Sequence, residues 1–192
     1  MLNKQYTSML QEKDVIFEIF QYATERAKVV GAENIYDFSL GNPSVPAPSI
    51  VNETIVQKVN TLDPLALHGY SPSFGIMETR EKIAAFLNKK YGSSYKASNI
   101  FMAIGAAGAL AHAFRAVTNP GDEIITFAPC FSEYKPYTAG AGLKLTIIPA
   151  DIDTFQINFA AFEAQLNENT TAVLINSPNN PSGIVYSTET IK

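Results

Sequence analysis

Four short stretches carry residue types that chemistry can use. Gly105-Ala106-Ala107-Gly108 stands where a strand-like run gives way to a helical one. Small residues let a backbone approach a ligand closely, and the free amides of a helix N-terminus attract phosphate. The same small residues serve tight packing of helix on sheet, so the residues alone leave both uses open. There is no P-loop lysine and no GxGxxG spacing, which excludes those two phosphate motifs. Pro129-Cys130-Phe131-Ser132-Glu133-Tyr134 follows the next strand-like run, and its phenyl ring could stack on a flat heteroaromatic ligand or simply fill a core. Cys130 has no histidine nearby and reads as a buried small residue rather than a nucleophile. Asn176-Ser177-Pro178-Asn179-Asn180-Pro181-Ser182-Gly183 packs conformationally restricted residues into one turn, able to aim an amide into a cleft. His68-Gly69-Tyr70-Ser71-Pro72 presents a phenol from a loop, where it could hydrogen-bond a phosphate. His68 and His112 have no carboxylate or serine partner in the pattern and read as structural.

Composition narrows the chemistry. The 192 residues carry 14 Lys+Arg against 18 Asp+Glu, a formal charge of −4. Without a basic run or a basic-aromatic stripe, nucleic acid is not an expected partner. One cysteine cannot close an internal disulfide, and one cysteine with two histidines makes a poor zinc set, so no metal is expected. The opening MLNKQYTSMLQEKD lacks the apolar core of a signal peptide, and no apolar run reaches membrane-spanning length. A cytoplasmic α/β protein is the expectation.

The elements that must position these groups follow from periodicity. Apolar residues from Asp14 to Val30 recur at helical spacing and stop at Gly31. A short strand is expected at Tyr36–Leu40, then a proline-rich loop to Pro48, then a helix from Ile50 to about Asn60 with Ser49 as its cap. An irregular loop, Asp63–Gly75, leads into an amphipathic helix from Ile76 to Tyr91. Strands are expected at Ile100–Ala103, Glu123–Phe127, Lys144–Pro149 and Thr171–Asn176, with helices between them at Ala106–Thr118, Ser132–Ala139 and Phe159–Leu166. Alternation of this kind indicates βαβ units, a mainly parallel sheet and a three-layer sandwich, preceded by an N-terminal helical segment. Asn119-Pro120-Gly121-Asp122 is a strong turn before the second strand. Ser187 with Thr190 forms a partial helix-capping pattern near the end. Three of the candidate groups then fall at the carboxyl ends of strands, where open α/β sheets bind ligands.

Taken in order, the stretches resemble the fold-type-I, pyridoxal-phosphate-dependent aminotransferases of class I/II, the aspartate aminotransferase group. The carrying residues are Ser39-Leu40-Gly41-Asn42-Pro43, His68 to Pro72 with Gly75 and Arg80, Gly105 to Leu110, Pro129 to Tyr134, and Asn176 to Gly183. Ser182 takes the threonine place of the family's asparagine-proline-threonine-glycine turn. The resemblance implies that Gly105, Ala106 and Ala107 offer backbone amides to the phosphate of pyridoxal 5'-phosphate. It implies that Phe131 stacks on the pyridine ring and that Asn180 donates to its phenolic oxygen. Tyr70 would reach the phosphate held by the opposite subunit of a homodimer, and Gly41 would bring backbone near the substrate carboxylate. Amino-acid and 2-oxo-acid substrates are implied with them.

The resemblance also implies a division at 45: residues 1–45 as N-terminal helix and leading loop of an arm or small domain, and 46–192 as an incomplete cofactor-binding large domain. In relatives the lysine that joins the cofactor, and the aspartate facing its ring nitrogen, follow the asparagine turn. None of the eleven lysines here stands in that context. The expectation is therefore a truncated chain, a fragment of one about twice as long, that does not transaminate alone. Two rival expectations are a β-lyase acting on C–S bonds with the same cofactor, and a non-catalytic cofactor-binding or dimerisation fragment.

Overall fold

The computed structural model describes residues 4–9, 15–39, 41 and 43–192. Leu40 and Asn42 of the expected loop motif, and Asp14 of the expected first helix, lie outside the described residues. Contacts divide the chain into two compact units, Met1–Tyr70 and Ser71–Lys192.

The first unit is helical: α1 (Lys4–Met9), α2 (Val15–Val30), α3 (Ser49–Thr61) and α4 (Pro64–His68). Gly31 ends α2 with φ +91°, a backbone conformation that favours glycine. The strand expected at Tyr36–Leu40 is absent from its described residues, which form no ladder. Ser49 does not cap α3. Pro48 occupies the cap position with no side-chain hydrogen bond, and Ser49 is already helical. Inside the expected loop, Asp63 and Pro64 start the short α4. The Asp63 carboxylate accepts from the amides of Leu65 (3.0 Å) and Ala66 (3.1 Å), and Pro64 supplies a helix-ready φ.

In the second unit, α5 (Met77–Tyr91) ends at Gly92 in the left-handed region. Beyond it come α6 (Gly105–Val117), β1 (Glu123–Ala128), α7 (Tyr134–Gly140), β2 (Lys144–Pro149), α8 (Phe159–Gln165), β3 (Thr170–Val173) and α9 (Thr188–Ile191). The strands form a parallel sheet of order β2-β1-β3. β1 is central and buried along its length, as its unbroken run Ile-Ile-Thr-Phe requires. Alternate residues serve opposite faces. Ile124 packs with Phe114, Leu143 and Leu110 on the side of α6 and α7, whereas Ile125 and Phe127 pack with Ile148, Ala161 and Phe162 on the side of α8. This is the expected three-layer arrangement. Ser187 caps α9, accepting from the Thr190 amide at 3.0 Å.

The strand expected at Ile100–Ala103 is the main correction. Ile100 has an extended backbone, but 100–103 joins no ladder among the described residues. The carbonyl of Ile100 accepts from Arg80 Nε at 2.9 Å instead of from a neighbouring strand. Strand β3 is also shorter than expected, and a register shift between Glu123 and Ile124 marks a bulge against β1.

At the amino edge of the sheet Glu123 is almost fully buried, yet it is a carboxylate with partners. Asn167 Nδ2 donates at 2.7 Å, Thr146 Oγ1 donates to the other oxygen, and Lys144 Nζ lies at 3.4 Å. The donors, Asn167 first and Thr146 next, hold its pKa below the ordinary glutamate value despite burial. A depressed folded pKa stabilises the fold above the unfolded value, and that stability is lost as pH falls through the folded value. Glu123→Gln should therefore cost roughly 1–3 kcal/mol at pH 7, the range for a disrupted buried hydrogen-bond set. Its urea midpoint should also fall less than the wild type's on going below the ordinary glutamate range. Equal acid limbs in the two proteins would show that Glu123 is not the group involved.

Candidate functional site

The sheet sets where the candidate groups stand. α6 has 13 residues and β1 has 6, so each is about 20 Å long. The turn from Thr118 to Asp122 reverses the chain between them, closed by Asp122 N donating to the Asn119 carbonyl and by the Asn119 amide donating to Asp122 Oδ2. Phe114 and Leu110 of α6 meet Ile124 near the start of β1. The helix therefore runs back along the strand, and its N-terminus at Gly105 lies toward the carboxyl edge of the sheet. Phe131 follows the carboxyl end of β1, and Asn180 follows that of the adjacent, parallel β3. Gly105 to Ala107, Phe131 and Asn180 thus share one edge of the second unit.

At the α6 N-terminus, Gly105 has φ +66° and Ile104 provides no side-chain cap. The Gly105 amide donates to the Ala103 carbonyl at 3.1 Å, and Gly108 makes the first bond back to Ile104 at 3.3 Å. The amides of Ala106 and Ala107 have no acceptor among the described residues, as the first turn of a helix leaves them. The expected trio therefore divides: Gly105 supplies the left-handed turn, and Ala106 and Ala107 supply the free donors. With the partial positive charge of the helix end, they suit an anion.

Phe131 is half-buried and held edge-on by Tyr134, with ring centroids 5.7 Å apart and planes at 84°. Burial raises the pKa values of the Tyr134 and Tyr186 phenols and of the Cys130 thiol. All three are held neutral at pH 7, and a thiol so raised is a poor nucleophile, as its sequence context implies.

In the asparagine turn the two asparagines differ. Asn179 is buried, and its Oδ1 accepts from the Ser182 amide (3.1 Å) and hydroxyl (2.8 Å). Its backbone bonds Ile184 and Gly183, and Gly183 turns at φ +72°. Asn180 is exposed, tied by its amide N–H to Asn176 Oδ1 at 2.7 Å, while its side-chain amide has no partner among the described residues. One asparagine builds the turn, and the next exposes its side-chain amide. The structural part played by Asn179 shows in its side chain accepting from the amide three residues on, at Ser182.

Gly41 and Tyr70 belong to the first unit. Gly41 is exposed, with open space where a Cβ would stand, and Tyr70 is fully exposed. Among the described residues, no group of three or more His, Cys, Asp or Glu could hold a metal ion. No described helix is long and apolar enough to cross a membrane.

A family model described as aminotransferase class I and II matches residues 32–192. An aspartate aminotransferase of Thermotoga maritima is 33% identical over 168 residues, 87% of this chain and 44% of its own length. Among solved structures, an amino transferase from Eubacterium rectale is 49% identical with a TM-score of 0.94, covering all of this chain and 48% of that one. The aspartate aminotransferase of Thermus thermophilus, solved with maleate, is 25% identical with a TM-score of 0.84, again over all of this chain and 48% of its own. The chain spans less than half the length of the relatives it matches. On these matches the chain belongs to the class I and II aminotransferases, whose cofactor is pyridoxal 5'-phosphate.

Proposed function

We propose that this chain forms the cofactor-binding part of an amino-acid aminotransferase, which moves an amino group from an amino acid to a 2-oxo acid. The single observation that carries the reading is the free amide pair of Ala106 and Ala107 on the edge shared with Phe131 and Asn180. The residues suit the cofactor: helix amides and a side-chain amide without partners among the described residues, and an aromatic ring braced from one edge. Ala106 and Ala107 would hold the phosphate, with Gly105 giving the backbone its turn. Phe131 would orient the pyridine ring, and Asn180 would donate to the phenolic oxygen. When bound, the cofactor supplies an electron sink for negative charge developing at the substrate α-carbon.

The proposal extends to a cytoplasmic homodimer in which Tyr70 reaches the partner's phosphate and Gly41 faces the substrate carboxylate. It includes residues 1–45 as the arm or small-domain portion and 46–192 as part of the large domain. No lysine of this chain is assigned the covalent role, so the chain by itself should not transaminate.

Pyridoxamine 5'-phosphate has no aldehyde to label stray lysines and is the better binding probe. Titration should show tighter binding of it than of pyridoxamine. Phe131→Ala should weaken both roughly threefold to tenfold, the worth of an aromatic contact of ~0.5–1.5 kcal/mol. Asn180→Ala should weaken both about fivefold, for one hydrogen bond of ~1 kcal/mol. Unchanged affinity in both variants would sink the assignment of these residues.

Mixing the chain with pyridoxal phosphate, reducing with borohydride and mapping peptides by mass should give no stoichiometric adduct at any one lysine. A single fully labelled lysine would overturn the assignment of the chain as inactive alone.

A further inference from the structure

Arg80 is nine-tenths buried in α5, and no carboxylate among the described residues pairs with it. Its guanidinium instead grips backbone. Nε donates to the Ile100 carbonyl at 2.9 Å and Nη2 to the Ala97 carbonyl at 2.8 Å. Burying a permanent charge without a counter-ion is costly, so these bonds must be well made for the arrangement to persist. The Phe74 ring lies 5.9 Å from the guanidinium carbon, close enough for a cation–π contact.

The gripped stretch is the one that delivers the chain to α6. Ile100 lies five residues before Gly105, and among the described residues no strand pairs with 100–103. Side chains hold this stretch at several points. Phe101 meets Phe74 edge-on with ring centroids 6.0 Å apart, and meets His112 of α6 at 5.6 Å. Gly75, at φ +93°, sits where any Cβ would collide with Met102. Arg80 is the polar centre of this assembly and the one member that bonds the main chain at two points.

We propose that Arg80 is a positioning residue for the phosphate cradle: by holding the Ala97 and Ile100 carbonyls it sets where the amides of Ala106 and Ala107 stand. The inference rests on the cofactor reading above. Its consequence is selective. A displaced cradle loses grip on the phosphate, whereas Phe131 and Asn180, in the loops after β1 and β3, keep theirs on the ring. Lysine cannot replace the fork, because one ammonium does not span two fixed carbonyls in the same way.

The test compares the affinities of pyridoxamine 5'-phosphate and pyridoxamine, with urea midpoints, for the wild-type chain, Arg80→Gln and Arg80→Lys. The ratio of the two affinities measures the phosphate contribution alone. It should fall roughly tenfold or more in Arg80→Gln, the worth of one hydrogen bond to a charged group, with pyridoxamine binding within about twofold of wild type. Arg80→Lys should fall between. Lower urea midpoints with an unchanged ratio in either variant would overturn the proposal, leaving Arg80 a stabilising residue only. If Arg80→Gln does not fold, a full wild-type ratio in Arg80→Lys does the same. A wild-type chain with no preference for the phosphorylated probe would overturn both this inference and the cofactor reading. A preserved wild-type preference with an unmoved ratio removes this inference alone.

Discussion

Burial of β1 on both faces is the constraint from which the rest of the second unit follows. A strand with no exposed face has no water for its backbone, so its amides and carbonyls must be satisfied sideways by β2 and β3. Parallel pairing then demands a crossover for each return, and α7 and α8 supply them on opposite faces. Because β1 and β3 are parallel neighbours, the loops that follow them leave at one edge. The site is a by-product of that geometry: two loops at a carboxyl edge, joined by the N-terminus of a helix that runs antiparallel to the strand beneath it.

The two edges of the sheet have been given opposite characters. At the amino edge, Glu123 is a buried anion whose oxygens are taken up by Asn167, Thr146 and Lys144. That group is complete within the fold, and its polar cleft with Glu168 and Asn169 needs no ligand to explain it. At the carboxyl edge the polar groups are donors left open: two helix amides and one side-chain amide. Satisfied acceptors at one end and unsatisfied donors at the other give the sheet a direction, and it is the donor end that suits a phosphate.

Much of this was legible in the sequence because the signals were local. Glu123 to Phe127 is rich in β-branched and aromatic residues and is bounded by Asn119-Pro120-Gly121-Asp122, and β1 begins where that turn ends. Lys144–Pro149 matched its strand from end to end, and helices α6 and α8 fell within a residue of their expected ends. Ser187 gave its cap away by its spacing to Thr190. The failures have physical causes of their own. Ile100–Ala103 has strand-like residues, but being a strand depends on a partner that local pattern cannot supply. Ser49 resembles a cap, yet the helix already includes it, and Pro48 stands at the cap position with a non-helical ψ of 140°. Within the site, residue type marked Gly105, Ala106 and Ala107 together, whereas only the hydrogen bonds separate the one engaged amide from the two free ones.

The lack of a ladder at 100–103 among the described residues also bears on what holds the start of α6. A paired strand is fixed by repeated backbone bonds, so no one side chain decides its register. Among the described residues the stretch from Ala97 to Ile104 has no such ladder and is held by one guanidinium and a chain of aromatic edges. Its position is therefore concentrated in few interactions, each replaceable by mutation in a way that a ladder is not. Phe131 and Asn180 stand in the loops that follow β1 and β3, whereas the amides of Ala106 and Ala107 follow the stretch that Arg80 holds. On the proposed reading, the groups for the anion and those for the ring stand on separate parts of the fold, so a single substitution in α5 should separate them.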